Sequence, residues 1–351
     1  MPECVKVQAN ARLHLGFFDL NGGFGRRFGS LGLSIGAPFT SLTLTRAQAP
    51  SSSGPEHRRA ADYVATLAQH LGLPDAYEIK VDAAIPPHAG LGSGTQLALA
   101  AACAVRQLEG LPEDGDADAV LLQRGARSGA GATLFRSGGL VVDGGHAERQ
   151  IGTAETRGGD SDRSRPRGKT VPPLLARYEF PEEWRIILVL DPDIQGVHGA
   201  AEREAFAQLP PFPAAQVGEI CRSVLMQALP AVVERDLAAF GAAIARIQRL
   251  LGDFFAPAQG GSRFTSRGVG AIMQKLEEAG AHGIGQSSWG PTGFAFADSQ
   301  AQAERLVTAV GAAVAAANLK LVVCQAANRG AIVQTGAIVQ AWANSRTNIC
   351  D

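Results

Sequence analysis

The clearest chemical signal in the 351-residue chain is the run Pro86-Pro87-His88-Ala89-Gly90-Leu91-Gly92-Ser93-Gly94-Thr95-Gln96. A proline-bounded turn passes through Gly90, Gly92 and Gly94 into a segment whose apolar residues Leu97, Ala101, Ala104, Val105 and Leu108 recur at helical spacing. Such a loop presents backbone N–H groups at the positive end of a helix, which makes it a site for an anion. Ser93 is placed to cap the helix, or to reach a phosphate beside Thr95 and Gln96. No Lys-Ser/Thr pair follows the glycines, so this is not a Walker A loop, and the glycine spacing is wrong for a dinucleotide fingerprint. The bland alternative is a Gly-rich helix start that binds nothing.

A second stretch, 10–35, reads ANARLHLGFFDLNGGFGRRFGSLGLSI. Arg12 and His14 alternate with Leu13 and Leu15 and so share one strand face. Asp19 leads into a Gly-rich turn carrying Arg26 and Arg27. Guanidinium groups bind phosphate oxygens bidentately, so this turn suits a phosphate or pyrophosphate. A solvated arginine pair on a hairpin is the plain alternative; the neighbouring glycines and Asp19 favour the functional reading. The third stretch is Arg127-Ser128-Gly129-Ala130-Gly131, running on to Gly138-Gly139. The fourth, 283–293, carries Gln286, Ser287, Ser288 and Trp289 between two strands, more polar groups than a hairpin needs. Trp289 serves equally as packing or as an aromatic platform. Other features carry less. The apolar run 187–190 ends in Asp191-Pro192-Asp193 and reads as a strand and a turn. His198 and Glu202 read as a helix start with a surface acid. The 7 histidines form no H-x-H or H-E-x-x-H pair, so no protein-held metal site is expected.

These groups need a scaffold of strands and helices. The residue patterns predict strands at 5–9, 41–45, 185–190 and 321–325, and a strand pair at 134–135 and 139–142. They predict helices through Tyr63–Leu71, Leu97–Leu108, Val217–Leu225, Leu237–Leu250 and Val269–Ala279, and an Ala-rich helix before the last strand. This mixed order points to an α+β protein, with helices on one face of an antiparallel sheet in its second half. The length suits about two domains, divided as 1–180, holding the Gly90 loop, and 181–351. A polar stretch at 153–170 reads as a surface loop. Lys+Arg total 32 against 33 Asp+Glu, and this balance argues against nucleic acid or an anionic membrane as partner. The N-terminus lacks the apolar core of a signal peptide, and the 5 scattered cysteines suggest reduced thiols in the cytoplasm.

Taken together, the four stretches resemble the GHMP kinase superfamily. IPPHAGLGSGTQLALA is similar to its phosphate-loop motif, and 283–296 to its C-terminal Gly-rich motif. The kinases commonly carry S-G-x-D in the third stretch, where the acid serves the phosphoryl acceptor; here Gly131 stands at that position. The segments 12–35, GLGSGTQ, RSGAGATLF and GQSSWGPTGF more closely resemble a non-kinase branch, the beta-ribofuranosylaminobenzene 5'-phosphate synthases. The resemblance implies an α+β fold of two domains, one ribosomal-protein-S5-like and one ferredoxin-like. It also implies a pentosyltransferase of methanopterin biosynthesis, joining 5-phosphoribosyl 1-pyrophosphate (PRPP) to 4-aminobenzoate or 4-hydroxybenzoate with release of carbon dioxide and pyrophosphate.

Two anions must then be held, and the Gly90 loop and the Arg26/Arg27 turn are the two candidate cradles. Arg26 near the leaving group stabilises its developing charge. Asp19 stabilises the cationic sugar or accepts a proton from the aromatic amine or phenol. Loss of carbon dioxide restores aromaticity, so no organic cofactor is expected, and Mg2+ arrives with PRPP. A cytoplasmic homodimer acting on small molecules is the expected setting. The rivals are an ATP-dependent small-molecule kinase of the same fold and a non-catalytic sugar-phosphate-binding regulator.

Overall fold

The computed structural model describes residues 1–125, 127–147, 170–196, 204–205 and 208–336. Most of the 153–170 stretch, together with His198, Glu202 and Cys350, lies outside the described residues.

The first half contains β1 (Cys4–Phe17), β2 (Arg26–Arg27), β3 (Ser30–Arg46), β4 (Ser51–Ser53) and α1 (His57–Leu71). There follow β5 (Tyr77–Ala83), α2 (Ser93–Leu108), α3 (Gly115–Leu121), α4 (Ala130–Ser137), β6 (Leu140–Asp143), β7 (His146–Ala147) and β8 (Leu174–Tyr178). β1 and β3 pair antiparallel along almost their full length, from Cys4 opposite Thr45 to Phe17 opposite Ser30. Val5, Val7 and Ala9 face inward in strict alternation, as a half-buried strand requires, and pack with Leu67 of α1 and Leu97 and Ala101 of α2. Past a register shift at Asn10/Ala11, β1 feeds a different core. β6 extends this sheet from β3, and β8 pairs with β6.

The second half contains β9 (Arg185–Leu190), α5 (Ala214–Ser223), α6 (Leu229–Glu234), α7 (Leu237–Phe255), α8 (Arg267–Glu278), β10 (His282–Gln286), β11 (Gly293–Ala297), α9 (Gln300–Ala316), β12 (Lys320–Cys324) and β13 (Ile332–Gly336). Its antiparallel sheet runs β10-β11-β9-β12. Ile187, Val189, Ala295 and Ala297 face α8 and α9. Ile186, Leu188, Phe294 and Phe296 face α7 and share one core with Leu13, Leu15, Leu31 and Leu33 of the first sheet. Both faces are therefore covered, not one as expected. The unbroken apolar run of β9 reflects burial on both sides. That shared core locks the two halves together, so a site between them has rigid walls.

Three further expectations are corrected. Leu134 and Phe135 belong to α4, not to a strand: Ala130 and Leu134, one helical turn apart, pack on Val141. The helix expected through Leu225 leaves α-helical geometry at Val224 for a π-helical turn, Val224–Ala228, and Leu225 points into solvent. Finally, β13 returns to the first sheet, where Ile332–Gly336 pairs with the start of β1, so part of the 181–351 stretch packs with the first half.

Candidate active site

The Gly90 loop leads directly into α2, as the glycine pattern predicts. Gly92 occupies the cap position in the left-handed region at φ 81°, and no side chain caps the helix. Ser93 is therefore the first helical residue and not its cap, a correction to the sequence reading. A glycine tolerates that cap conformation where serine would be strained. The uncapped N-terminus keeps the partial positive charge of the helix directed outward.

Arginines surround this terminus. Arg12 of β1 donates from Nη1 to the Gly90 carbonyl at 2.7 Å. Arg59 of α1 and Arg124, in the loop after α3, approach Gly94 so closely that a methyl group there would lie 2.3 Å from Arg59 Nη2 and 3.0 Å from Arg124 Nη1. Tyr63 joins the two, its hydroxyl accepting from Arg59 Nε at 3.1 Å and from Arg124 Nη2 at 2.6 Å. Three guanidinium groups thus gather at one helix N-terminus, with Glu56 pairing one of them, Arg59, at 3.0 Å, and the net positive charge suits an anion. Arg59 and Arg124 were missed in the sequence, because they lie on separate segments with no local motif.

Gln96 faces inward, 1% exposed; its Nε2 donates to the Gly131 carbonyl at 3.0 Å. Thr95 packs on Gly131: a Cβ there would meet Thr95 Cγ2 at 3.1 Å. A side chain at 131 would therefore press on Thr95, which would have to give by a few tenths of an ångström, so the position of the kinase carboxylate is crowded here.

The turn after β1 is organised differently from expectation. The Asp19 carboxylate accepts backbone N–H groups of Asn21, Gly22 and Gly23 at 2.7, 3.0 and 2.9 Å, which closes the turn. Asn21 in turn bonds both backbone groups of Phe212, tying the turn to the second half. Arg26 donates to the carbonyls of Gly144 and Gly145, each at 2.7 Å, and Arg27 to that of Asn21 at 2.9 Å, while β2 pairs with β7. The hydrogen bonds of this turn run within itself and to Gly144, Gly145 and Phe212, whereas those of Gly90 run to Arg12 and Ser287, so the two candidate cradles are built on different partners.

The 287–290 turn closes the site from the second half. Ser287 Oγ donates to the Gly90 carbonyl at 2.8 Å and accepts from the His14 N–H at 3.0 Å. The Ser288 N–H donates to the His14 carbonyl at 3.3 Å. Gln286 is held by Gln248, Gln259 and the Thr265 N–H. Beside this turn a cleft opens between the halves, lined by His14, Phe17, Phe255, Gln259, Arg263, Gln286, Ser288 and Trp289. Trp289 packs on Phe255, with ring centroids 4.6 Å apart. Burial, reinforced by the Arg12 charge, lowers the His14 imidazole from 6.5 to about 3, so the ring is neutral.

One buried acid was also missed. Asp143, at the end of β6, accepts from Ser128 Oγ and from the N–H groups of Ala130 and Gly145, at 3.2, 3.2 and 2.9 Å, and from Ser30. Burial raises it to about 6 despite these donors. It anchors the 128–130 turn at the start of α4. No group of three or more His, Cys, Asp or Glu residues among those described is placed to hold a metal. Among the described residues no helix is long and apolar enough to cross a membrane.

This α+β arrangement, with a Gly-rich helix start facing a second Gly-rich turn, defines the class. Family models match residues 58–139 (GHMP kinases N terminal domain) and 228–316 (GHMP kinases C terminal). A homoserine kinase from Cytophaga hutchinsonii aligns with TM-score 0.63 at 17% identity, over 95% of this chain and 98% of that one. Mevalonate diphosphate decarboxylase from Staphylococcus aureus aligns with TM-score 0.61 at 14% identity, over 95% and 98%. These likenesses establish the GHMP kinase fold. Within it, the beta-ribofuranosylphenol 5'-phosphate synthase of Archaeoglobus fulgidus is 34% identical over 299 residues, 85% of this chain and 89% of the relative. The protein of the same name from Methanothermobacter thermautotrophicus is 31% identical over 304 residues, 84% and 89%. The chain belongs to this synthase family and is an enzyme of pentosyltransferase type.

Proposed function

We propose that the enzyme transfers the phosphoribosyl group of PRPP to the ring carbon of a para-substituted benzoate, releasing carbon dioxide and pyrophosphate. The names of the relatives favour 4-hydroxybenzoate over 4-aminobenzoate as acceptor, because their product is a phenol. The observation that carries this reading is the uncapped start of α2 with Arg12, Arg59 and Arg124 around it, next to an aromatic-walled cleft. One subsite suits a polyanion and the other a planar ring, as the two substrates require.

Departure of pyrophosphate builds negative charge on the leaving oxygens, and fixed guanidinium groups stabilise it without reorganising. Thr95 lies in the first turn of α2, where a bound phosphate would meet it, whereas Gln96 is turned inward to the Gly131 carbonyl and braces that turn. Asp19 remains the proposed carboxylate for the sugar cation or the acceptor's proton, since its turn follows directly on Phe17 of the cleft, and Arg26 of the same turn remains the proposed partner of the leaving group. Three backbone donors fix the Asp19 carboxylate in place. Mg2+ comes as part of the PRPP substrate, bound to its pyrophosphate oxygens. The test is to supply PRPP, Mg2+ and carboxyl-labelled 4-hydroxybenzoate. Equal yields of labelled carbon dioxide and pyrophosphate are expected, with a product that has lost the carboxyl group. A product retaining the carboxyl group overturns the decarboxylating mechanism.

A further inference from the structure

We propose that His14 selects the aromatic acceptor, its Nε2 accepting a hydrogen bond from the para hydroxyl of a ring seated in the cleft walled by Phe17, Phe255 and Trp289. This rests on the phosphoribosyl-transfer reading above and adds to it the residue that reads the acceptor.

His14 is 3% exposed and lines the cleft, yet its Nε2 has no hydrogen-bond partner among the described residues. A buried polar atom left unsatisfied costs about 1–3 kcal/mol, so its persistence asks for a partner that arrives with a ligand. In the tautomer that carries its proton on Nδ1, Nε2 is the ring's acceptor. Neutrality preserves this polarity, because an imidazolium would have no acceptor to offer. The cleft is lined by aromatic rings, His14 and Phe17 with centroids 4.3 Å apart and Phe255 and Trp289 4.6 Å apart; it is shallow and open to solvent, so an aryl group would stack against these rings from its mouth.

Spacing along β1 gives the second argument. Arg12 reaches the Gly90 loop and His14 the cleft, two residues apart on one face. That separation is roughly 7 Å at strand geometry, enough for a ribose ring between an anion subsite and an aryl subsite. Ser287, bonded to both the Gly90 carbonyl and the His14 N–H, couples the two.

The chemistry is consistent with a weak acceptor. The ring carbon bearing the carboxylate bonds to ribose C1 while the C1–O bond to pyrophosphate breaks, its electron pair leaving on pyrophosphate. The para hydroxyl thereby becomes the O–H of a cationic dienone, acidic enough for a neutral imidazole to hold its proton. Loss of carbon dioxide returns the carbon–carbon pair to the ring and the proton to oxygen.

The test is titration calorimetry of the whole protein, with inorganic pyrophosphate present, using 4-hydroxybenzoate, 4-methoxybenzoate and benzoate. The wild type is expected to prefer the hydroxyl compound by about tenfold, the 1.4 kcal/mol of one good hydrogen bond. His14→Phe is expected to abolish the preference while keeping benzoate affinity, and to raise KM for the acceptor with KM for PRPP unchanged. His14→Gln, which retains an acceptor, restores part of the preference. If 4-methoxybenzoate, which cannot donate, binds wild type as tightly as 4-hydroxybenzoate, the proposal fails even if no variant folds. A folded His14→Phe that keeps the preference also overturns it. These readouts need no turnover, so absence of carbon dioxide release would defeat the reaction reading separately.

Discussion

Gly94→Ala separates the fold of the anion site from its function. The residue sits in the first turn of α2 with ordinary helical backbone, so alanine introduces no strain there, and its higher helix propensity favours the folded state by up to about 1 kcal/mol. The added methyl would lie 2.3 Å from Arg59 Nη2 and 3.0 Å from Arg124 Nη1. An ordinary contact is about 3.5 Å, so the Arg59 tip must retreat by about 1.2 Å. Both contacts are ends of flexible side chains, so the retreat leaves the fold intact while moving a guanidinium out of reach of the anion. A lost charge-assisted hydrogen bond is worth about 1.5–3 kcal/mol, hence roughly a ten- to hundredfold rise in KM for PRPP. The checks are a thermal melt, expected unchanged or raised by a few degrees, and PRPP dependence of carbon dioxide release at saturating acceptor. A variant with native melt and wild-type PRPP dependence would refute the assignment of this helix terminus as the polyanion site. An unfolded variant would refute the claim that the arginine tips can yield.

Other outcomes follow from the same geometry. Gly90→Ala should destabilise the protein by several kcal/mol, because a Cβ at φ 76° would fall 2.2 Å from the Ser287 carbonyl oxygen, and backbone cannot retreat as a side chain can; a native melting temperature contradicts this. Asp19→Asn should keep more activity than Asp19→Ala, since it retains an acceptor for the turn; if both fall equally by about a hundredfold or more while folded, the charge itself is required. ATP with Mg2+ and a panel of small alcohols should yield no phosphorylated product, and stoichiometric ADP formation would refute this. His14, held near 3 when folded against 6.5 in its ordinary state, stays neutral where the unfolded chain takes a proton, so its stability contribution is full above pH 6.5 and is lost as pH falls toward 3. From pH 6.5 to 5.0 that loss is about 2 kcal/mol, and denaturant titrations should show His14→Gln lacking it.

What was legible in the sequence followed local physics. The Gly90 loop announced itself because a helix start with three nearby glycines needs no distant partner to be recognised. The Arg12/His14 pair was legible from strand alternation, although Arg12 reaches the Gly90 loop and His14 the cleft: a shared face says nothing about what lies above each residue. Arg59 and Arg124 were illegible, since an arginine on a helix and another in a loop carry no pattern until the fold brings both to Gly94. The turn at 19–27 misled in an instructive way. Asp, Gly and Arg in a short span suit both an anion cradle and a self-closing turn, and here backbone N–H and carbonyl groups engage all three charged side chains. Segment 134–135 misled because two apolar residues fit either period, and packing of Ala130 and Leu134 on Val141 decided for helix.

The contact between Thr95 and Gly131 explains how one scaffold can abandon phosphoryl transfer and keep its anion site. A kinase acid on α4 would have to project toward the first turn of α2, the proposed anion site. Here glycine lets α4 approach until Thr95 Cγ2 lies 3.1 Å from where a Cβ would stand, and Gln96 bonds the Gly131 carbonyl across the same seam. Removing the acid therefore does more than delete a base. It removes a negative charge from beside a polyanion and lets two helices close over the space that charge would need. A reaction that ends in departure of pyrophosphate gains from excess positive charge at that point, where Glu56 offsets only one of three guanidinium groups. Restoring the acid should therefore not restore a kinase. Gly131→Asp is expected to press on Thr95 and to weaken PRPP binding, with no ADP formed from ATP; a folded Gly131→Asp with wild-type PRPP affinity would show that this seam does not govern the site.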